Sequence, residues 1–72
     1  LYLGQGVPKD TGRALVWFEK SADQGDDDAQ YYLGLMYRDG EGMARDIGKA
    51  RHWFLKSADN GNEDAAMALQ NL

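Results

Sequence analysis

One passage of this chain occurs twice. Residues 17–25 read WFEKSADQG and residues 53–61 read WFLKSADNG, so seven of nine letters agree at a spacing of 36 residues. When the whole chain is shifted by 36 positions, 15 of the 36 pairs between residues 1–36 and 37–72 are identical. A fixed period of about 20 to 50 residues is typical of stacked arrays, in which each unit buries its apolar face against its neighbours. The sequence therefore predicts a single array, residues 1–72, of two units, 1–36 and 37–72.

Within each period two short helices are predicted, and the second is the more clearly marked. Asp10 and Asp46 are suited to cap a helix start, because a short carboxylate accepts hydrogen bonds from backbone N–H groups of the first turn. After Asp46, small and apolar residues recur at helical spacing and form one stripe: Ala50, Trp53, Phe54, Ser57 and Ala58. Gly61 supplies the left-handed conformation that ends a helix. The second helices are predicted at residues 11–24 and 47–60.

The first helix of each unit follows an acidic or amide-bearing run. Asp26, Asp27 and Asp28 stand where negative charge stabilises the positive end of a helix dipole. Beyond them an apolar stripe recurs at steps of four, three and one: Ala29, Leu33, Met36 and Tyr37. The first helices are predicted at residues 27–38 and 63–71. Paired glycines predict turns with unusual backbone angles between first and second helices: Gly4 and Gly6, Gly40 and Gly42. No alternating pattern of strand length is present, so the fold class is all-α.

The positions that repeat also match the pattern of a known family. They read Leu33-Gly34-x-x-Tyr37-x-x-Gly40-x-Gly42, then Asp46, then Lys49-Ala50-x-x-Trp53-Phe54-x-Lys56-Ser57-Ala58-x-x-Gly61. This pattern resembles the SEL-one-like (SLR) repeat, a relative of the tetratricopeptide repeats, and it covers nearly the whole chain twice. The resemblance implies an α/α solenoid of two tandem 36-residue helix-turn-helix repeats with a right-handed superhelix, here in a permuted register. Ser21 and Ser57 stand where the family usually has alanine, a change that the same packing tolerates.

Composition limits the classes of partner. The 8 basic and 12 acidic residues give a net charge of −4, and the Lys and Arg residues are scattered. We therefore expect no nucleic-acid binding, which requires clustered positive charge against phosphates. No run approaches the roughly 18 consecutive apolar residues of a membrane span, so we expect no membrane insertion. The chain has no cysteine, which leaves its compartment open, and its start at Leu1 leads us to expect a part of a longer protein.

No residue pattern points to a catalytic, cofactor or metal site. His52 falls opposite the apolar stripe of its helix, which favours a solvated surface position over a general base. Ser21 and Ser57 lie within apolar stripes, with no histidine predicted nearby to activate them. The acidic run at 26–28 fails the calcium-loop pattern, because the twelfth position counted from its start is Tyr37 rather than glutamate. Helix capping explains the run, and we expect the chain not to be an enzyme.

Four aromatic residues fall at matched places in the two units: Trp17, Phe18, Trp53 and Phe54. Such rings could form a stacking ladder for a ligand. Their repetition beside small residues is more typical of packing between the layers of an array. All four are predicted to lie in the core.

One face of the first helix carries residue types that dominate interaction hot spots. With the apolar stripe turned inward, the opposite side presents Tyr31, Leu35 and Arg38, with Gln30 at its edge. In tetratricopeptide relatives the first helix of each unit lines the concave groove, and the resemblance implies the same position for this face. The alternative is that Tyr31 and Leu35 pack on a neighbouring helix, and the sequence leaves both open.

These patterns favour a protein-interaction module, an adaptor that holds a peptide or a partner segment in the groove of the solenoid. The alternative is a structural spacer, or a segment that assembles with copies of itself, because two units leave an apolar face at each end. Residues at those ends predict homo-oligomer formation: Leu1, Leu3, Met67, Leu69 and Leu72. An enzyme is the least favoured class, since two layers of short helices offer no deep pocket.

Overall fold

The computed structural model describes residues 8–41 and 43–72, with the backbone alone for positions 8–11. It contains four helices, and no strand occurs in the described ranges. They are α1 (Pro8–Asp23), α2 (Asp27–Asp39), α3 (Ile47–Asp59) and α4 (Glu63–Gln70). Their alternation confirms the prediction of an all-α chain of tandem helix-turn-helix units. Three of the four glycines predicted in turns lie outside the described residues: Gly4, Gly6 and Gly42.

The helix ends follow the punctuation in the sequence. The side chain of Asp26 accepts hydrogen bonds from the backbone N–H groups of Asp28 and Ala29 at 3.0 and 3.2 Å, which caps α2. Asp46 caps α3 in the same way, with 3.0 Å from its Oδ1 to the backbone nitrogen of Lys49. At the other end of α2, Gly40 has φ of 75°, a left-handed conformation that glycine adopts without steric cost. The caps predicted at Asp26 and Asp46, and the unusual backbone angle predicted at Gly40, are confirmed.

The start of α1 differs from the prediction. The helix begins at Pro8 and already includes Asp10, so Asp10 is not the residue that precedes the first turn. Proline suits the first turn of a helix because its fixed φ is helical and its missing N–H would have no intrahelical partner. The copy, Ala44, has no such preference and stands outside α3. This substitution is the physical reason why the predicted cap holds at Asp46 alone.

The helices stack in chain order. In the described residues α2 packs on α1 and most extensively on α3, α4 packs on α3, and α1 contacts neither α3 nor α4. The two first helices, α2 and α4, also touch each other, whereas the two second helices do not. Helices that touch across the turns of a solenoid lie on the inner side of its curve. The first helices therefore form the concave side, as the resemblance implied.

The core lies between α2 and the two second helices. It consists of alanine, leucine and aromatic residues contributed by all four helices: Ala22, Ala29, Leu33, Tyr37, Ala50, Phe54 and Ala65. The closest approach is between α2 and α3, where the ring of Phe54 lies against the backbone of Gly34 and a Cβ atom at position 34 would overlap it. The absence of a side chain at this position is thus what lets the hairpin close.

One of the four predicted core aromatics is not in the core. Phe54 is fully buried with an exposed fraction of 0% and Trp53 is half-buried, but Trp17 is 66% exposed. Trp53 belongs to α3, which is covered by the first helix that precedes it. In the described residues no first helix precedes α1, so no such helix covers Trp17, whose ring contacts that of the adjacent Phe18 at 6.0 Å between centroids. The prediction for Trp17 is wrong for this reason, and its neighbour Phe18 is half-buried.

Candidate interaction face

The face predicted from the sequence lies along the concave side of α2. Tyr31, Leu35 and Arg38 are each half-buried. Tyr31 and Leu35 also pack against the core, and the ring of Tyr31 lies 5.9 Å from that of Phe54, measured between ring centroids. The alternative reading, that Tyr31 and Leu35 pack on a neighbouring helix, therefore applies in part, and each residue also keeps part of its surface in solvent.

Gln30 is not at the edge of this face. Its side chain is only 3% exposed. The amide Nε2 donates to the backbone carbonyl of Ala22 at 3.0 Å, and the amide Oε1 accepts from Nδ2 of Asn60 at 3.0 Å. Buried amides of this kind are stabilised by having both ends hydrogen-bonded. The predicted surface position of Gln30 is wrong, since the residue joins α1, α2 and the end of α3 inside the protein.

Arg38 is held in place by its sequence neighbour. Its Nε and one terminal nitrogen donate to the two carboxylate oxygens of Asp39 at 2.9 and 3.2 Å. This hydrogen bonding lowers the pKa of Asp39 from its usual value, against the smaller opposing effect of burial. A two-point contact restricts the guanidinium to one orientation. The side chain therefore presents its remaining N–H groups in a defined direction.

Two concavities flank this face of α2. The α1–α2 groove has a volume of about 450 Å³ and a mainly apolar lining: Ala14, Phe18, Tyr32, Leu35, Met36, Asp39 and Glu41. The α2–α4 cleft has a volume of about 490 Å³ and a more polar lining: Arg38, Asp39, Arg45, Ile47, Asn71 and Leu72. Leu35 thus faces the groove, Arg38 faces the cleft, and Asp39 borders both.

The two concavities share two positions of the repeat. Leu35 and Met36 line the α1–α2 groove, and the residues 36 positions later, Asn71 and Leu72, line the α2–α4 cleft. Two lining positions therefore recur with the period of the sequence. The side chains at these positions differ in part, because Asn71 stands in the cleft where Leu35 stands in the groove. The guanidinium groups of Arg38 and Arg45 also line the cleft.

Tyr32 is a lining residue that the sequence did not single out. It is 49% exposed, and its ring lies between those of Phe18 and Tyr31, at centroid distances of 5.5 and 5.7 Å. The signal available in the sequence was its position one turn before Met36. That position lies on the flank of the helix that turns toward α1.

The other predicted surface residues fall as follows. His52 is exposed, with its ring 5.1 Å from that of Trp53. At the end of the array Met67 is 62% exposed, whereas Leu69 and Leu72 are half-buried and pack against the core. Leu1 and Leu3 lie outside the described residues.

Comparison with known proteins places the repeat in a family. None of the helices in the described ranges is long and apolar enough to cross a membrane. No curated protein and no solved structure matches the chain. The model of the Sel1 repeat family matches residues 1–26 and 27–62, and this second match begins where α2 begins. Sel1 repeats are non-catalytic helical solenoid repeats that generally mediate protein–protein interactions. The structure and the match agree, and the chain belongs to the Sel1 repeat family.

Proposed function

We propose that this chain is an adaptor module that binds a segment of a partner protein along its concave side. The observation that carries the proposal is the recurrence of the lining positions, with Leu35 and Met36 in one concavity and Asn71 and Leu72 in the next. An extended peptide that crosses α2 would meet these two positions of the repeat in both concavities. Repeat proteins use their concave surfaces in this way.

The side chains suggest what such a segment carries. Tyr31, Tyr32 and Leu35 offer an apolar and aromatic surface, which fits an apolar side chain of the partner. In the α2–α4 cleft, Arg38 is already paired with Asp39, whereas Arg45 forms no ion pair within the described residues. A guanidinium in a concavity is suited to bind a carboxylate. The proposed partner segment therefore has an apolar residue for the groove and an acidic residue for the cleft.

The proposal is tested with peptides selected from a random library displayed against the full chain. Titration of the selected peptides then compares the wild-type protein with the double variant Tyr31→Ala, Arg38→Ala. We expect the double variant to bind at least about tenfold more weakly, a loss of about 1.4 kcal/mol or more. Circular dichroism verifies that the double variant keeps its helices, because Tyr31 also packs against the core.

A matched control is the double variant Arg51→Ala, His52→Ala, which changes two exposed residues of α3 outside both concavities. This variant should bind as the wild type does. Full affinity in the Tyr31 and Arg38 variant would remove those residues from the proposed site. A spacer with no ligand of its own would yield no peptide whose binding distinguishes the two double variants.

A further inference from the structure

The turn between α3 and α4 contains a chemically labile pair of residues. Asn60 is followed by Gly61, and both are exposed. The side-chain amide of asparagine is a thermolabile group of proteins, because the backbone nitrogen of the next residue can attack it. Glycine leaves that nitrogen unhindered, since it has no side chain. The other two asparagines of the chain, Asn62 and Asn71, are followed by larger residues, so Asn60 is the most reactive of the three by sequence.

The folded turn holds the two reacting groups apart. The amide Nδ2 of Asn60 donates to Oε1 of the buried Gln30 at 3.0 Å. The backbone N–H of Gly61 donates to the carbonyl of Ala58 at 2.9 Å, with ψ of Asn60 at 11°. Closing a ring between that nitrogen and Cγ of Asn60 requires rotation about this ψ bond and release of both hydrogen bonds. The reaction therefore needs only a local opening of the turn, which costs less free energy than global unfolding.

The partner of Asn60 is unable to adapt to a change at position 60. The amide Nε2 of Gln30 donates to the carbonyl of Ala22 at 3.0 Å, and the side chain is buried. A carbonyl only accepts, so the nitrogen of this amide must face Ala22 and its oxygen must face position 60. The group at position 60 therefore has to be a donor. A carboxylate there places two acceptors against each other and leaves the buried oxygen of Gln30 without its hydrogen bond.

We propose that Asn60 is a site of spontaneous deamidation, which its hydrogen bond to Gln30 restrains and whose product breaks the junction of α1, α2 and α3. The backbone nitrogen of Gly61 forms a bond to Cγ of Asn60 and loses its proton, and the bond from Cγ to the amide nitrogen breaks to release ammonia. Water, the one co-reactant, then opens the cyclic imide at either of its carbonyl carbons. The products are aspartate, and isoaspartate with the main chain running through Cγ.

The first unit contains the same turn without the restraint. Gly25 and Gly61 have φ of 93° and 95°, and each donates its N–H to the carbonyl three residues earlier, at 3.0 and 2.9 Å. Gln24 occupies the position that corresponds to Asn60. It is exposed, and its side chain makes no hydrogen bond within the described residues. An asparagine introduced at position 24 therefore has the same neighbour and the same backbone, but no buried partner.

The proposal is tested on the full chain carrying Gln24→Asn, incubated in mildly alkaline buffer. Mass spectrometry of its peptides measures aspartate and isoaspartate at each asparagine. Global unfolding affects all sites of one molecule alike, so the ratio of two rates reports local protection. We expect deamidation at position 60 to be several-fold slower than at position 24 and faster than at Asn62 and Asn71. No reaction at position 60, or a rate no greater than those of Asn62 and Asn71, overturns the proposed site.

A second arm removes the restraint by adding Gln30→Met to the same chain. Methionine fills the space of the buried side chain, and the carbonyl of Ala22 keeps its hydrogen bond from the N–H of Gly25. Circular dichroism verifies that the helices are retained. We expect the rate at position 60 to rise several-fold relative to the rate at position 24. An unchanged ratio of the two rates in the folded variant shows that Gln30 does not restrain the reaction and overturns that part of the proposal.

A third arm leaves the buried residue unchanged and measures the effect of the product. Asn60→Asp supplies the aspartate directly. Its matched control is Gln24→Glu, which makes the same change of charge at the corresponding helix end, where a negative charge is unfavourable in itself. We expect the urea midpoint of unfolding to fall clearly in Asn60→Asp and to stay closer to the wild-type value in Gln24→Glu. Equal midpoints of the two variants overturn the proposed effect on the junction.

Discussion

The hydroxyl of Tyr37 on α2 lies 3.4 Å from the carboxylate of Glu19 on α1, and it donates a hydrogen bond across the interface of the two helices. The ammonium group of Lys49 on α3 lies 5.3 Å from the centroid of the same ring. Tyr37 therefore contacts both second helices at once, from the side of α2 opposite the concave face. This arrangement links the stability of the protein at alkaline pH to the ionisation of Tyr37.

Burial raises the pKa of Tyr37, and the charge of Glu19, the hydrogen bond to it and the charge of Asp46 raise it further. Because the folded-state pKa lies above the unfolded value of about 10, folding favours the neutral phenol. The resulting stabilisation is complete below pH about 10 and is lost as pH rises through the folded-state pKa. We expect the free energy of unfolding to decrease on this alkaline side more in the wild type than in Tyr37→Phe. Urea unfolding between pH 8 and pH 11 measures this, with the exposed Tyr32→Phe as a control that should decline like the wild type.

Gly34→Ala should destabilise the protein although alanine is the better helix former. A methyl group at this position overlaps the ring of Phe54, and overpacking of this kind costs about 1–3 kcal/mol. The matched control is Gly12→Ala in α1, where an added Cβ has no described atom within 4 Å. It should be neutral or stabilise by up to about 1 kcal/mol. Equal effects of the two variants in urea unfolding would contradict the close packing of α2 on α3.

Ser57→Ala and Ser21→Ala form a second matched pair, one from each unit. Ser57 donates to the carbonyl of Asp27 from a fully buried position, so its loss should cost about 1 kcal/mol. Ser21 has no such partner in the described residues, and its replacement should change the free energy of unfolding by less than about 0.5 kcal/mol. If Ser21→Ala proved as costly as Ser57→Ala, the hydroxyl of Ser21 would already have a buried hydrogen-bond partner.

Asp46→Ala removes the oxygen that accepts from Lys49 at the start of α3. We expect a loss of about 0.5–2 kcal/mol in the free energy of unfolding. Asp46→Asn keeps an oxygen that can accept the same hydrogen bond and should cost much less. A similar loss in both variants would assign the effect to the negative charge and not to the cap.

Gln70→Gly bears on self-association. Glycine at position 70 makes α4 resemble α2 at the point where Gly34 receives Phe54. We expect this variant to form dimers at several-fold lower concentration than the wild type. With glycine at position 70, α4 of one copy can pack on the Phe18 ring of another without the overlap that a side chain causes. Sedimentation equilibrium of the two proteins measures the difference. A wild type that associates as readily as the variant would show that its apolar ends meet in another geometry.

Much of the architecture could be predicted from the sequence because the helix boundaries are set locally. Aspartate or asparagine at the starts and glycine at the ends act through bonds within a few residues, as Asp46 and Gly40 do here. The period then assigns matching roles to matching residues. The same reasoning fails for Trp17, because the period predicts equal surroundings for it and for Trp53, whereas burial depends on which neighbouring helix is present.

The candidate face was predicted only in part for a related reason. Tyr31, Leu35 and Arg38 share one side of α2, which helical spacing alone predicts. Gln30 was assigned to its edge because a polar side chain is more often exposed. Its burial follows from the carbonyl of Ala22 and the amide of Asn60, which belong to other parts of the fold. Long-range hydrogen bonds of this kind cannot be predicted from the spacing of residues along one helix.

Gly34 and its copy Gln70 differ, so the array is not equally easy to extend at its two ends. A unit inserted between α1 and α2 would repeat the contact of Gly34 with Phe54, whereas a unit joined after α4 would place Gln70 where the repeat has Gly34. Lengthening by internal duplication is therefore sterically easier on one side than on the other. Copies of residues 27–62 inserted ahead of α2 would therefore extend the array without bringing Gln70 against a copy of the Phe54 ring.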